Sequence, residues 1–252
     1  AFATILADPD LDPAFKELVG TLPAESYLYE QVSSIDPSAI HSSRRRVREQ
    51  LAKALSKQWH EIYEACHEEK NYTPDAVSAG KRALKNLALS ALFDAQSDQA
   101  SSLAVSQYEQ ANNMTDRYGA LQVLVNFNQA QATEYLADFH QRFKDDALVI
   151  DKWFSLQAMR QHDSSGKHPV MNDILHLRRH PDFNIKNPNR ARSLIHAFCL
   201  SNPGAFHQAG LDGYKFWAQH VIELNAINPQ VAARLASGMD RSEEHTSELQ
   251  SH

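Results

Sequence analysis

Residues 73–92 read Thr-Pro-Asp-Ala-Val-Ser-Ala-Gly-Lys-Arg-Ala-Leu-Lys-Asn-Leu-Ala-Leu-Ser-Ala-Leu. Within this stretch Val77, Leu84, Leu87, Ala88, Ala91 and Leu92 recur at spacings of three, four and seven, so they share one face of a helix. The same period returns at Tyr135, Leu136, Phe139 and Phe143, and again at Ala191, Leu194, Ile195 and Phe198. No stretch alternates apolar and polar residues long enough to read as a strand. A good N-cap residue precedes proline at Asp36-Pro37, Thr73-Pro74, Asn187-Pro188, Asn202-Pro203 and Asn228-Pro229. There the cap side chain accepts from an orphan N–H, and the proline lacks a donor that the first turn would waste. His168-Pro169 and His180-Pro181 break the chain with weaker caps. The pattern predicts helices near 38–70, 74–95, 100–111, 114–127, 130–144, 146–161, 169–179, 188–200, 211–226 and 229–239. Their lengths and short connections predict an all-α fold, a superhelical, α-solenoid-like stack of antiparallel helix pairs without a fixed sequence period.

The whole chain has 252 residues, 42% hydrophobic and 22% charged, which suits a folded globular protein and excludes wholesale disorder. With 25 Lys and Arg against 31 Asp and Glu the net charge is −6, and the isoelectric point is about 6.1. That balance argues against a dedicated nucleic-acid binder, whose affinity rests on neutralising phosphates. No apolar run reaches the length of a membrane span, so no membrane partner is expected. Cys66 and Cys199 form no disulfide pattern, which points to a reducing, cytoplasmic setting. Ala1 to Ala7 carry neither an initiator Met nor a basic leader and read as neither a secretory signal nor a natural beginning. From 242 to 252 the text is polar and aperiodic and looks like translated adapter DNA, so it is set apart from a domain over 1–241.

Familiar catalytic motifs are missing from the sequence. No glycine-rich phosphate loop, nucleophile elbow or CxxC pair occurs. His60-Glu61 and His67-Glu68 begin like a zinc-peptidase helix, but the residues four after each histidine are Glu64 and Asn71. His60, Glu64 and His67 still fall on one helical stripe, which a solvated polar face explains as well as a metal does. Arg44-Arg45-Arg46-Val47-Arg48 reads as a solvated face. In Asn187-Pro188-Asn189-Arg190-Ala191-Arg192 two guanidiniums sit near a helix start, where the helix dipole disfavours cations by roughly 0.3–1 kcal/mol each. Arg234 follows a second such start at Asn228-Pro229. Two readings stay open: a carboxylate site gripped by forked guanidiniums, or arginines paired with structural acids.

A series of longer motifs then occurs in order: Asn112-Asn113-Met114-Thr115-Asp116-Arg117, Val149-Ile150-Asp151-Lys152-Trp153-Phe154, His180-Pro181-Asp182-Phe183 and Asn187 to Leu194. Ala197-Phe198, Asn202-Pro203, Phe206-His207, Gly213-Tyr214 and Asn228 to Leu235 follow, with Leu22-Pro23-Ala24-Glu25 and Asp36 to Ile40 near the beginning. Together they resemble the C-terminal helical domain of the bacterial aminopeptidase N family, zinc-dependent alanyl aminopeptidases. The resemblance implies a cap that encloses the active site of a thermolysin-like catalytic domain in the same polypeptide and lines the cavity for peptide substrates. That catalytic domain carries HExxH, a distant glutamate and GxMEN, none of which is in this chain. The implied parent is thus a zinc aminopeptidase, and this part is expected to be inactive alone, with no catalytic residue and no metal of its own. An independent helical scaffold for protein–protein interaction is the alternative. By the resemblance, Arg192 and Arg234 match arginines that face the cavity near the far end of the substrate, where the anion is a peptide carboxylate or polarised carbonyl. Asn113 to Arg117 and Asp151 to Phe154 are expected to serve inter-helix bonding. Family members continue with further helical text after Arg241, so an uncovered apolar face is expected near Val231 and Leu235, and with it a marginal, aggregation-prone fragment.

Overall fold

The computed structural model describes residues 1–67, 72–127, 129–161, 169–208 and 210–239. Among them there is no strand. The helices are α1 (Phe2–Ala7), α2 (Pro13–Gly20), α3 (Glu25–Tyr29), α4 (Pro37–Ala54), α5 (Ser56–Ala65), α6 (Ala76–Asp94), α7 (Ala100–Gln110), α8 (Met114–Phe127) and α9 (Gln129–Phe143). They continue as α10 (Ala147–Ala158), α11 (Val170–Leu177), α12 (Pro188–Ala191), a π-helical segment (Arg192–His196), α13 (Ala197–Ser201), α14 (Pro203–Phe206), α15 (Asp212–Asn225) and α16 (Pro229–Ala236). The set-apart tail lies outside the described residues.

Two compact units divide the chain: residues 1–24 with 43–136, and residues 25–42 with the segment from 137 onward. In the first, α6 is the central element and packs on α2, α5, α7 and α8. Its stripe of Leu84, Ala88, Leu89 and Leu92 is almost wholly buried, whereas Val77 at its first turn is exposed. Each such leucine stabilises the fold by about 1.5–3 kcal/mol. Gly80 lets α2 come close, since a Cβ there would stand 3.0 Å from the Ala14 nitrogen. Lys85 and Asp116 form a buried ion pair at 2.7 Å, and Gln107 Nε2 donates to the Asp116 carbonyl at 2.9 Å. Asn113 Oδ1 accepts from the Asp116 N–H at 2.9 Å, and Arg117 donates to the carbonyls of Tyr108 and Ala111. The motif from Asn113 to Arg117 thus ties α6, α7 and α8 together.

In the second unit α10 packs on α11 and on the helical run 188–201, and α15 packs on α14 and α16. Phe198 meets Phe206 and Phe216 edge-on, at centroid distances of 5.9 and 5.5 Å. Asn202 is a buried junction. Its Oδ1 accepts from the Ala205 N–H at 3.3 Å, while Nδ2 donates to the carbonyls of Ala158 and Arg160 at 2.9 and 2.8 Å. One amide therefore starts α14 and satisfies two orphan acceptors at the end of α10.

Several sequence expectations are corrected. The run 38–70 is two helices broken at Leu55, whose φ of −113° and ψ of 19° leave the helical region without a proline or glycine to announce it. The cap for α6 is Asp75, not Thr73: Asp75 accepts from the Ser78 N–H at 2.9 Å. The face near Val231 and Leu235 is not uncovered. Both residues are buried, α16 packs along α15, and Trp217 Nε1 donates to the Leu235 carbonyl at 3.0 Å. The sequence pattern places no helix before residue 38, but α1, α2 and α3 lie there, each too short to establish a period.

The junction at Asn202 makes a direct prediction. Asn202→Ala should lose about 2–4 kcal/mol in urea unfolding, from the lost cap and two stranded carbonyls. Asn202→Asp keeps the cap acceptor but not the amide donors, so it should stay destabilised; recovery to the parent value would contradict the bonds to α10.

Candidate functional site

The run 188–201 begins with Asn187, whose Oδ1 accepts from the N–H groups of Asn189 and Arg190 at 3.0 and 3.4 Å. Its two arginines then part company. Arg190 is buried, and its Nε stands 2.7 Å from Asp151 Oδ1, a close ion pair not aligned as a hydrogen bond. Its other nitrogens donate to the carbonyls of Asp182 and Ala147 at 3.1 and 3.4 Å, and its guanidinium lies 4.9 Å from the Phe154 ring centroid. For this residue the reading as partner of a structural acid holds.

Arg192 is exposed, as is Arg234 on α16, and neither has an acid partner among the described residues. Both act on one side chain, His196. This imidazole is 8% exposed, and neither ring nitrogen makes a hydrogen bond. Burial first, then the two guanidinium charges, hold its pKa below the ordinary histidine value; the Val231 backbone opposes them without reaching hydrogen-bond geometry. Arg192 and Arg234 thus both disfavour the charged form of this buried ring. Residues Arg192–His196 form a π-helical turn inside an otherwise α-helical run, a feature that recurs at functional sites. A guanidinium without an acid partner can offer forked, charge-assisted hydrogen bonds to an anion.

His196 escapes sequence analysis because it sits among Leu194, Ile195, Ala197 and Phe198 and reads as core. The available signal was its position four residues after Arg192, a polar ring on an apolar stripe.

The remaining motifs are structural. Arg45 pairs with Glu49, Arg48 with Asp94, and Arg44 donates to the carbonyls of Pro23 and Leu22, so the basic run is held by acids and backbone. His41 Nδ1 lies 2.8 Å from Glu25 Oε1, and His207 Nδ1 lies 2.7 Å from the Tyr214 hydroxyl, which makes these motif residues internal ties. His60, Glu64 and His67 do not gather into a metal-binding group among the described residues. Cys66 and Cys199 are buried and form no disulfide, and burial pushes the Cys199 thiol pKa far up, away from nucleophilic use. A cleft of about 290 Å³ in the first unit is lined by Lys85 and Asp116, charges that already neutralise one another.

A family model described as "Domain of unknown function (DUF3458_C) ARM repeats" matches residues 1–252. The chain belongs to that family. As an ARM-repeat domain it is all-α and α-solenoid-like, the class that the helical periods imply. Aminopeptidase N of Haemophilus influenzae is 37% identical over 242 residues, 96% of this chain and 27% of that protein. Aminopeptidase N of Escherichia coli K12 is 34% identical over 250 residues, 99% of this chain and 28% of that protein. The Caulobacter vibrioides aminopeptidase N is 32% identical over 235 residues, 93% of this chain and 27% of that protein. Among solved structures, Legionella pneumophila aminopeptidase A in complex with aspartic acid aligns with a TM-score of 0.82 and 26% identity, over 99% of this chain and 30% of that one. The DUF3458_C chain thus spans little more than a quarter of the length of the curated relatives it matches. No helix among the described residues is long and apolar enough to cross a membrane.

The placement of the two arginines predicts how His196 titrates. Because each cation disfavours the imidazolium, Arg192→Gln and Arg234→Gln should each raise the His196 midpoint, followed by ring resonances in NMR. A midpoint that moves in neither variant would contradict their convergence on this ring.

Proposed function

We propose that this chain is the helical cap of a zinc-dependent aminopeptidase that removes N-terminal residues from peptides. In this reading it encloses the active site, lines the substrate cavity, and works against a thermolysin-like catalytic domain in the same polypeptide. The observation that carries the proposal is the pair Arg192 and Arg234, exposed and without acid partners, whose charges both act on His196 in a chain with aminopeptidase N relatives.

The chemistry of binding follows from the donors. Guanidinium presents forked N–H groups that match a carboxylate bidentately, so Arg192 and Arg234 would hold the C-terminal carboxylate, or a polarised carbonyl, beyond the scissile bond. His196, its pKa lowered by burial and by both charges, disfavours a third positive charge there. The HExxH helix of a catalytic zinc site is not formed at His60 or His67, since neither His-Glu pair is followed four residues later by a second histidine. No step of hydrolysis is therefore assigned to residues of this chain, which alone should release no amino acid from peptides. Two buried cysteines without a disulfide accord with a cytoplasmic setting.

In the complete enzyme, Arg192→Ala or Arg234→Ala should lower kcat/KM for a peptide with a free C-terminal carboxylate by roughly ten- to a hundredfold, the value of a lost charge-assisted bond. Hydrolysis of an aminoacyl reporter lacking that carboxylate should change far less. Equal losses on both substrates would reject the carboxylate role.

A further inference from the structure

His140 lies in the last turn of α9, while His180 and Asp182 lie in the connection after α11. These distant stretches of the second unit bring three donors together. His140 Nε2 is 2.6 Å from Asp182 Oδ2, and His180 Nδ1 is 3.8 Å from the same oxygen. One ligand atom from each residue can be chosen so that all lie within 4.8 Å of one another. We propose that His140, His180 and Asp182 form a binding site for a divalent transition-metal ion of the zinc class.

The donor chemistry selects the ion. Two imidazoles and one carboxylate suit zinc, cobalt or nickel, whereas magnesium and calcium prefer oxygen alone. Zinc bonds of about 2.0–2.1 Å set tetrahedral ligand atoms roughly 3.4 Å apart. The 2.6 and 3.8 Å separations bracket that spacing, so small side-chain movements admit an ion where His140 and Asp182 are now in direct polar contact. His180 Nδ1 accepts the Asp182 backbone N–H at 3.2 Å, so it is the unprotonated ring nitrogen, with its lone pair directed toward that N–H. The ion would take over that lone pair.

The surroundings hold the rings in place. Trp153 packs against His140 and His180 at centroid distances of 5.0 and 5.2 Å, and Phe154 meets His180 edge-on at 5.7 Å. Arg190, the nearby cation, is committed to Asp151, and its bond to the Asp182 carbonyl steadies the loop that supplies the carboxylate. His176, four residues before His180, acts on that ring's charge but does not join the three-donor group. Three protein ligands with an exposed carboxylate leave a coordination position for water. Spacing rules give no warning of such a site, because 42 residues separate its first and last ligands.

The test uses the 252-residue chain stripped with chelator and titrated with zinc chloride by calorimetry, then with cobalt chloride by visible absorption. One ion per chain is expected, with a cobalt spectrum of low coordination number and a raised melting temperature. Asp182→Asn, which keeps an oxygen facing His140, and His140→Ala should each weaken zinc binding by more than about tenfold. His60→Ala should leave it unchanged, and circular dichroism should match in all variants. Absence of stoichiometric zinc binding by the parent chain would overturn the site, as would binding that survives Asp182→Asn but is lost in His60→Ala.

Discussion

Arg190 is the constraint on which the second unit depends. A guanidinium cannot be desolvated without partners, and here burial is compensated by Asp151, by two backbone carbonyls and by the face of Phe154. Those partners come from α10, from its first turn and from the loop after α11. One side chain therefore fixes the rotation of the run 188–201 against its neighbours. With that rotation set, Leu194, Ile195 and Phe198 turn into the core, and Arg192 turns out of it.

The same constraint builds the candidate anion site. Arg192 and Arg234 are left without carboxylates while Arg190, two residues from Arg192, is neutralised. His196 feels both exposed charges, which with burial disfavour its protonation, and it keeps two polar atoms out of water without partners. Such unsatisfied burial is tolerated where surrounding structure over-determines it, and the π-helical turn is part of that structure. By holding the Asp182 carbonyl, Arg190 also steadies the loop beside His140 and His180.

Much of the fold is legible in the sequence. The helical periods locate the main helices, and Asp36, Asn187, Asn202 and Asn228 cap the helices they precede. Asp12-Pro13 carries the same signature and caps α2, with Asp12 accepting from the Ala14 N–H at 2.8 Å. Its following period is too short to be noticed. The break at Leu55 is invisible because it depends on tertiary packing and not on a breaker residue. Site residues divide similarly. Arg192 stands out since it breaks a local charge rule near a helix start; Arg234 lies in the last turn of α16, where a cation suits the dipole, and His196 hides within an apolar stripe. His140, His180 and Asp182 meet only through the fold.

The central claim is a division of labour between two arginines of one motif, and unfolding free energies measure it directly. Arg190→Ala should lose about 3–5 kcal/mol, because it strands Asp151 and two carbonyls beside a buried gap. Arg192→Ala should remain within about 0.5 kcal/mol of the parent, as a surface change away from packing does. Equal losses in the two variants, or a larger loss at Arg192, would contradict the account.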